Sequence, residues 1–191
     1  MKQLILVLVL VVSSLAHAQS DSKMGVMASL LYNTAEIDSA GDPDVNAELG
    51  YGLGMRALLR LNDRLFLRTG AGIIKKAFSI DLEVSPGITE TTDVSFLYLN
   101  IPATLYLKAS PQVGIFAGTA IQPKLDDDCE VDGGTCKVES AKSMVLPAIL
   151  GFDFSFNEQF GIEFSYEYGI MESSKDTKVS SLVTSLVYNF E

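Results

Sequence analysis

What this chain lacks narrows it faster than what it contains. Its one histidine is His17, inside an N-terminal segment read below as a cleavable leader, so the mature protein is left without imidazole. A serine or water nucleophile then loses its usual activator, and no enzymatic role is expected. Beyond Ala18 no long continuous apolar run remains. That excludes a helical membrane protein, so any membrane span must be built from strands. Basic residues are scarce: 14 Lys and Arg against 24 Asp and Glu give a formal charge of −10, which offers a nucleic acid nothing to grip. With 2 cysteines and no mature histidine, a four-ligand zinc site is excluded, and no cofactor is expected. No Pro-rich or Ser-rich linker, composition shift or long-period repeat divides the 191 residues, so the mature chain reads as one domain.

Lys2, the apolar run Leu4 to Val12, and Ala16-His17-Ala18 ahead of Gln19 have the charged start, short apolar centre and small-residue ending of a secretory signal peptide. The run is shorter than the ~20 residues of a spanning helix. Residues 1–18 are therefore predicted to be a signal peptide cleaved after Ala18, and residues 19–191 a β-barrel domain. Loss of Lys2 takes the charge from −10 to −11. No cysteine follows the run, so no lipoprotein anchor is expected.

The clearest positive signal is Gln159 to Ile170. Phe160, Ile162, Phe164, Tyr166, Tyr168 and Ile170 alternate with Gln159, Gly161, Glu163, Ser165, Glu167 and Gly169. A period of two puts one set on each face of a strand, and ~9–11 tilted residues cross a bilayer as a strand with lipid outside and a polar lumen inside. Similar segments run over Met24–Tyr32, Glu48–Leu61, Leu65–Lys76, Phe96–Lys108, Gln112–Ile121, Met144–Phe156 and Ser181–Phe190. These predict an all-β fold, an eight-stranded antiparallel up-and-down transmembrane β-barrel. Short connections (Asn62-Asp63, Ser110-Pro111, Asn157-Glu158) alternate strictly with long ones (Asn33–Ala47, Ala77–Ser95, Gln122–Ser143, Met171–Ser180). In outer-membrane barrels the short turns are periplasmic, which orients the chain with both termini in the periplasm of a bacterial outer membrane.

The polar faces place Arg56, Arg60 and Arg68 on the second and third strands and Asp153, Glu163 and Glu167 on the sixth and seventh. All but Glu167 lie in the half nearer the short turns. Opposite signs across a narrow interior predict a lumenal ion-pair cluster that plugs the barrel, because an unpaired buried charge is very costly; a proton or solute pathway is the alternative. Gly50, Gly52, Gly54, Gly70, Gly72, Gly114 and Gly118 fall on the inward face and read as room for long side chains, not as a phosphate loop, since no helix follows. Pro102 and Pro147 cannot donate to a ladder and are each predicted to mark a bulge.

Cys129 and Cys136 share one long connection, and export through an oxidising compartment favours a disulfide between them. The same stretch scans as a near match to a calcium loop, with Asp128, Glu130, Asp132 and Gly133 and with Glu139 at the twelfth position. The lack of flanking helices, the Glu at the third position and the disulfide argue against it.

Phe96-Leu97-Tyr98-Leu99-Asn100-Ile101-Pro102-Ala103-Thr104-Leu105-Tyr106-Leu107-Lys108, followed after a tight turn by Gly114-Ile115-Phe116-Ala117-Gly118, resembles the central hairpin of the PorT-like outer-membrane β-barrel family. Gly151-Phe152 and the closing Tyr188-Asn189-Phe190 fit the same pattern. The resemblance implies an outer-membrane barrel; many members have no assigned activity, and no catalytic residues carry over. Small outer-membrane enzymes such as lipid A deacylases, palmitoyltransferases and omptin-type proteases use the histidine that is missing here. Barrels of this kind usually end on an aromatic residue read by the assembly machinery, whereas Glu191 follows Phe190. The expected partners are outer-membrane lipid, the barrel-assembly machinery and an extracellular or envelope protein met by the acidic loops. Two other roles stay open: an accessory component of secretion or transport, which the resemblance alone implies, and a soluble periplasmic barrel that turns its Leu and Phe faces inward around an apolar ligand.

Overall fold

The structure, a computed structural model, describes residues 22–37, 44–85, 88–131, 134–138, 141–174 and 176–190. The predicted leader, its cleavage point and Glu191 lie outside them. Eight strands form the wall: β1 (Lys23–Ile37), β2 (Asp44–Arg60), β3 (Leu65–Ser85), β4 (Ile88–Lys108), β5 (Val113–Val131), β6 (Pro147–Ser155), β7 (Phe160–Gly169) and β8 (Thr177–Asn189). Each pairs antiparallel with the next. β8 returns to β1 along Gly25–Asn189 to Ile37–Thr177 and closes the ring, as the alternation requires. Two short segments, Gly134–Thr135 and Met144–Val145, add to β5.

The three short turns are built alike. In each, a side-chain oxygen at the first turn position accepts backbone N–H groups two and three residues on: Asn62 Oδ1 from Arg64 and Leu65 (3.0 and 2.9 Å), Ser110 Oγ from Gln112 and Val113 (3.2 and 3.0 Å), and Asn157 Oδ1 from Gln159 and Phe160 (2.9 and 2.7 Å). Asn and Ser favour turns because of this local bond. The first residue of the following strand accepts back, Leu65 O from the N–H groups of Leu61 and Asn62, and Val113 O and Phe160 O likewise.

At the opposite end the expected long connections are largely strand. β3 and β4 continue to Ser85 and from Ile88, β5 continues to Val131, β1 to Ile37, and β2 and β8 begin at Asp44 and Thr177. These extensions escape a search for outward apolar residues because their apolar side chains point inward. Phe78, Val94, Phe96, Tyr98, Ile74, Leu31 and Cys129 pack as one cluster inside the upper barrel, with Cys136, Val138 and Ala141 laid over it.

The prolines do not mark bulges. Pro102 pairs with Ala120 in an unbroken register, and on its other side the β3–β4 ladder simply omits bridges between Thr69–Ala103 and Gly72–Asn100 without shifting. Leu146 interrupts the sixth strand ahead of Pro147, yet Met144–Val145 and β6 keep one register against β5, so the count of eight stands. A missing donor costs a bridge, not an extra residue. The register shifts fall instead at Ala47/Tyr51, Glu83/Ser85 and Leu97/Tyr98, all towards the long connections.

Outside, Leu30, Leu49, Leu53 and Leu150 are 64–72% exposed, within a belt of outward Leu, Ile, Met, Val and aromatic side chains. Phe154, Phe156, Phe160, Tyr188 and Phe190 edge that belt beside the short turns, in ring contacts of 5.0–5.9 Å. Aromatic edging of an apolar band is the pattern of a bilayer-spanning barrel, and a belt this continuous exceeds what soluble monomers expose. The soluble barrel with Leu and Phe faces turned inward is therefore overturned.

Candidate functional site

The interior is layered. Nearest the short turns, Arg56 on β2 and Arg68 on β3 converge on Glu163 of β7. Arg68 is bidentate, Nε to Oε1 at 3.2 Å and Nη2 to Oε2 at 2.5 Å, and Arg56 Nη1 shares Oε1. Arg56 Nη2 also donates to Asn189 Oδ1 at 2.9 Å, and its Nη1 lies 3.6 Å from Asp153 Oδ2. Tyr106 donates to Asp153 Oδ1 at 2.7 Å, and the Arg68 guanidinium stands 4.4 Å over the Phe116 ring. Arg56, Arg68, Asp153 and Glu163 are all buried. Two cations and two carboxylates cancel, which is the arrangement that offsets the desolvation of buried charge.

Glycine makes this layer fit. A Cβ on Gly114 would collide with the Tyr106 hydroxyl and Asp153, and one on Gly151 would strike the Phe116 ring. Both positions are small because a large neighbour occupies their space.

A second layer lies above. Lys76 Nζ bonds Glu167 Oε2 at 2.7 Å, and Gln122 Nε2 donates to the same oxygen and to Asn100 Oδ1 at 3.2 and 3.0 Å. Ser29–Ser185 and Asn33–Ser181 bonds of 2.7 and 2.8 Å line the β1–β8 seam. Between the layers is a void of about 20 Å³ lined by Met27, Ser29, Asn100, Ser165 and Ser185, room for roughly one water. The apolar cluster of Phe78, Phe96 and Tyr98 packs in the lumen above.

The structure thus brings together Arg56, Arg68, Asp153 and Glu163, and separates two expected members. Arg60 shares their inward parity but reaches the open rim, where it pairs with Asp63 at 2.5 Å and its side chain is 41% exposed. Glu167 takes a lysine as partner in the upper layer, not an arginine. Sequence reasoning missed Lys76, Tyr106, Asn100, Gln122 and Asn189. Parity puts Lys76, Asn100, Tyr106 and Asn189 on inward faces, so they were findable; Gln122 fell in an expected connection, and the partners of all five depend on strand register.

Cys129, buried on β5, is bonded to Cys136, with Cα atoms 5.0 Å apart, and Cys136 N–H donates to Cys129 O at 2.9 Å. The disulfide thereby holds the segment that covers the upper cluster. Asp128 and Glu130 belong to strand β5, whereas Asp132, Gly133 and Glu139 of the calcium-like pattern lie outside the described residues. Among the described residues no group of three His, Cys, Asp or Glu is placed to hold a metal ion. Both oxygens of Glu163 are engaged by guanidinium groups and the side chain is buried.

Residues 4–190 match the family model described as outer membrane protein beta-barrel domain. Among solved structures the chain is similar to Ail, the attachment invasion locus protein of Yersinia pestis, at 16% identity and a TM-score of 0.50 over 88% of this chain and 99% of that one. It is also similar to Neisserial surface protein A, at 13% identity and a TM-score of 0.56 over 87% and 97%. At these identities the likeness is one of fold. No curated protein matches the chain.

Proposed function

Because this chain belongs to the outer membrane protein β-barrel family, a bacterial outer-membrane protein, we propose that it is a closed, non-enzymatic barrel whose acidic upper wall meets a partner outside the cell. The observation that carries this reading is the filled lumen. Among the described residues two neutralised ion-pair layers and an apolar cluster fill the lumen, which supports an external working surface. Short turns facing the periplasm put the extensions of β3, β4 and β5 outside. There the inward face turns apolar and the outward face polar: Val94, Phe96 and Tyr98 point in, and the outer surface carries Asp93, Asp126, Asp128 and Glu130, with Lys75 beside them. Asp81 is tied to Asn46 and Thr91 at 2.7 and 2.6 Å, which stiffens the platform. Within the family, the hairpin of Phe96–Lys108 and Gly114–Gly118 supports a place among PorT-like members.

An acidic platform fits adhesion to, or assembly with, a basic partner. One Ail structure holds a heparin analogue, sucrose octasulfate; this surface, with the opposite charge, would repel such a polyanion. Planar-bilayer recordings should show a closed barrel, and a steady, large conductance would defeat the plug. Adhesion of cells producing the chain should fall when Asp93, Asp126 and Asp128 are changed to Asn, and fall with salt. Unchanged adhesion would move the contact elsewhere.

A further inference from the structure

The short-turn end carries a basin of opposite character to the acidic platform. Below the lower ion-pair layer, a vestibule of about 280 Å³ opens at the rim, lined among others by Lys23, Arg60, Asp63, Tyr106, Lys108 and Asp153. Its charges do not cancel. Arg56 and Asp153 belong to the buried layer, and Arg60 faces Asp63 across the turn. Lys23 and Lys108 make no ion pair with any described residue. Among the described residues two surplus cations therefore face one cavity, in a chain whose formal charge is −10. A concave site with low-dielectric walls focuses such a field.

We propose that this vestibule binds a small carboxylated sugar from the periplasm. The carboxylate would sit between Lys23 and Lys108 as a charge-assisted contact. Phe66 and Tyr106, in edge contact at 6.0 Å, and Pro111 give the basin an apolar wall for a sugar face, and Ser155 and Asn189 add polar groups. The volume lies below the ~300–1,000 Å³ of drug-sized sites, which limits the ligand to about one sugar unit. A lipid headgroup is disfavoured because these side chains face the lumen, while acyl chains lie against the outer belt. The periplasmic source rests on the orientation proposed above; the vestibule's chemistry does not.

The test titrates the full folded chain, in zwitterionic micelles, with glucuronate and with glucose, following backbone amide shifts at Lys108 and Ser155. Glucuronate should bind saturably in the millimolar range, more weakly as salt rises, and glucose should not. Lys23→Gln with Lys108→Gln, both exposed positions, should weaken binding about tenfold or more, with unchanged heat-modifiable migration as the folding check. Asp63→Asn, which removes an opposing charge, should tighten it. No saturable response to glucuronate, equal response to glucose, indifference to these substitutions, or binding only to vesicles containing phosphatidylglycerol would each overturn the proposal. Orientation is read separately. Ser110→Cys should resist an impermeant maleimide on intact cells, and labelling there would overturn the periplasmic source while leaving the titration to judge the site.

Discussion

The two ends of strand β4 obey opposite rules. From Leu97 to Leu107 the odd-numbered residues Leu97, Leu99, Ile101, Ala103, Leu105 and Leu107 face out, while Asn100, Thr104 and Tyr106 face in. Immediately above, Ser95 and Asp93 face out and Phe96 and Val94 face in. The pleat never changes; the solvent does. Where lipid surrounds the wall, apolar side chains go outward and the polar interior must neutralise itself. Where water surrounds it, the interior becomes an ordinary apolar core. The outer surface changes from apolar to charged around Leu97, whose outward neighbours are Lys75 and Asp126.

If the lower end is held by charge compensation, removing one member should be severe. Glu163→Ala leaves Arg56 and Arg68 buried without their shared carboxylate and should cost about 3–5 kcal/mol, read as a lower urea midpoint and loss of the heat-modifiable band. A wild-type midpoint would mean the layer is hydrated and the comparison false. The upper pair gives the companion test. Lys76→Met alone should destabilise on a similar scale by stranding Glu167, whereas Lys76→Met with Glu167→Leu should recover most of the loss, because an apolar pair of similar volume is often neutral or better than a buried ion pair. Failure to recover would show that the Gln122 and Asn100 bonds to this layer matter more than its charge.

The cap should respond locally. Opening the disulfide by Cys129→Ser with Cys136→Ser is expected to cost about 2–4 kcal/mol, but as detachment of the segment carrying Cys136, Val138 and Ala141 from the Phe78–Phe96–Tyr98 cluster and not as loss of the barrel. Protease should then cut that segment faster while the heat-modifiable band persists. Collapse of the whole barrel would mean the two ends fold as one unit.

Much of the lower end was legible because alternation reports facing. Arg56, Arg68, Asp153 and Glu163 could be placed inside from parity alone, and the Asn62, Ser110 and Asn157 turns from local chemistry. Parity does not report height or partner. Glu167 shares a face with Glu163 but sits two pleat repeats higher against Lys76, and Arg60 shares a face with Arg56 but has run out of wall. Those outcomes need the register between strands, which no single segment carries. The upper extensions were hidden for a different reason. Phe78, Val94 and Phe96 look like the lipid-facing residues of the belt, and only the closed ring shows that they point the other way.

The smallest expected effect separates how the two ends make their connections. Asn157→Ala removes two bonds from its Oδ1 to the Gln159 and Phe160 amides. The turn is exposed, so water replaces the lost acceptor and the cost should stay near the ~0.5–1.5 kcal/mol of an ordinary hydrogen bond. Asn157→Asp, which keeps the acceptor, should cost less. Because Asn62 and Ser110 build the same turn independently, far apart around the rim, losses at the three sites should add. No such additivity is expected among cap residues, which share one packed cluster. A strongly non-additive result at the turns, measured by urea midpoints of single and double variants, would show that the rim too is held by tertiary contact and not by local bonds.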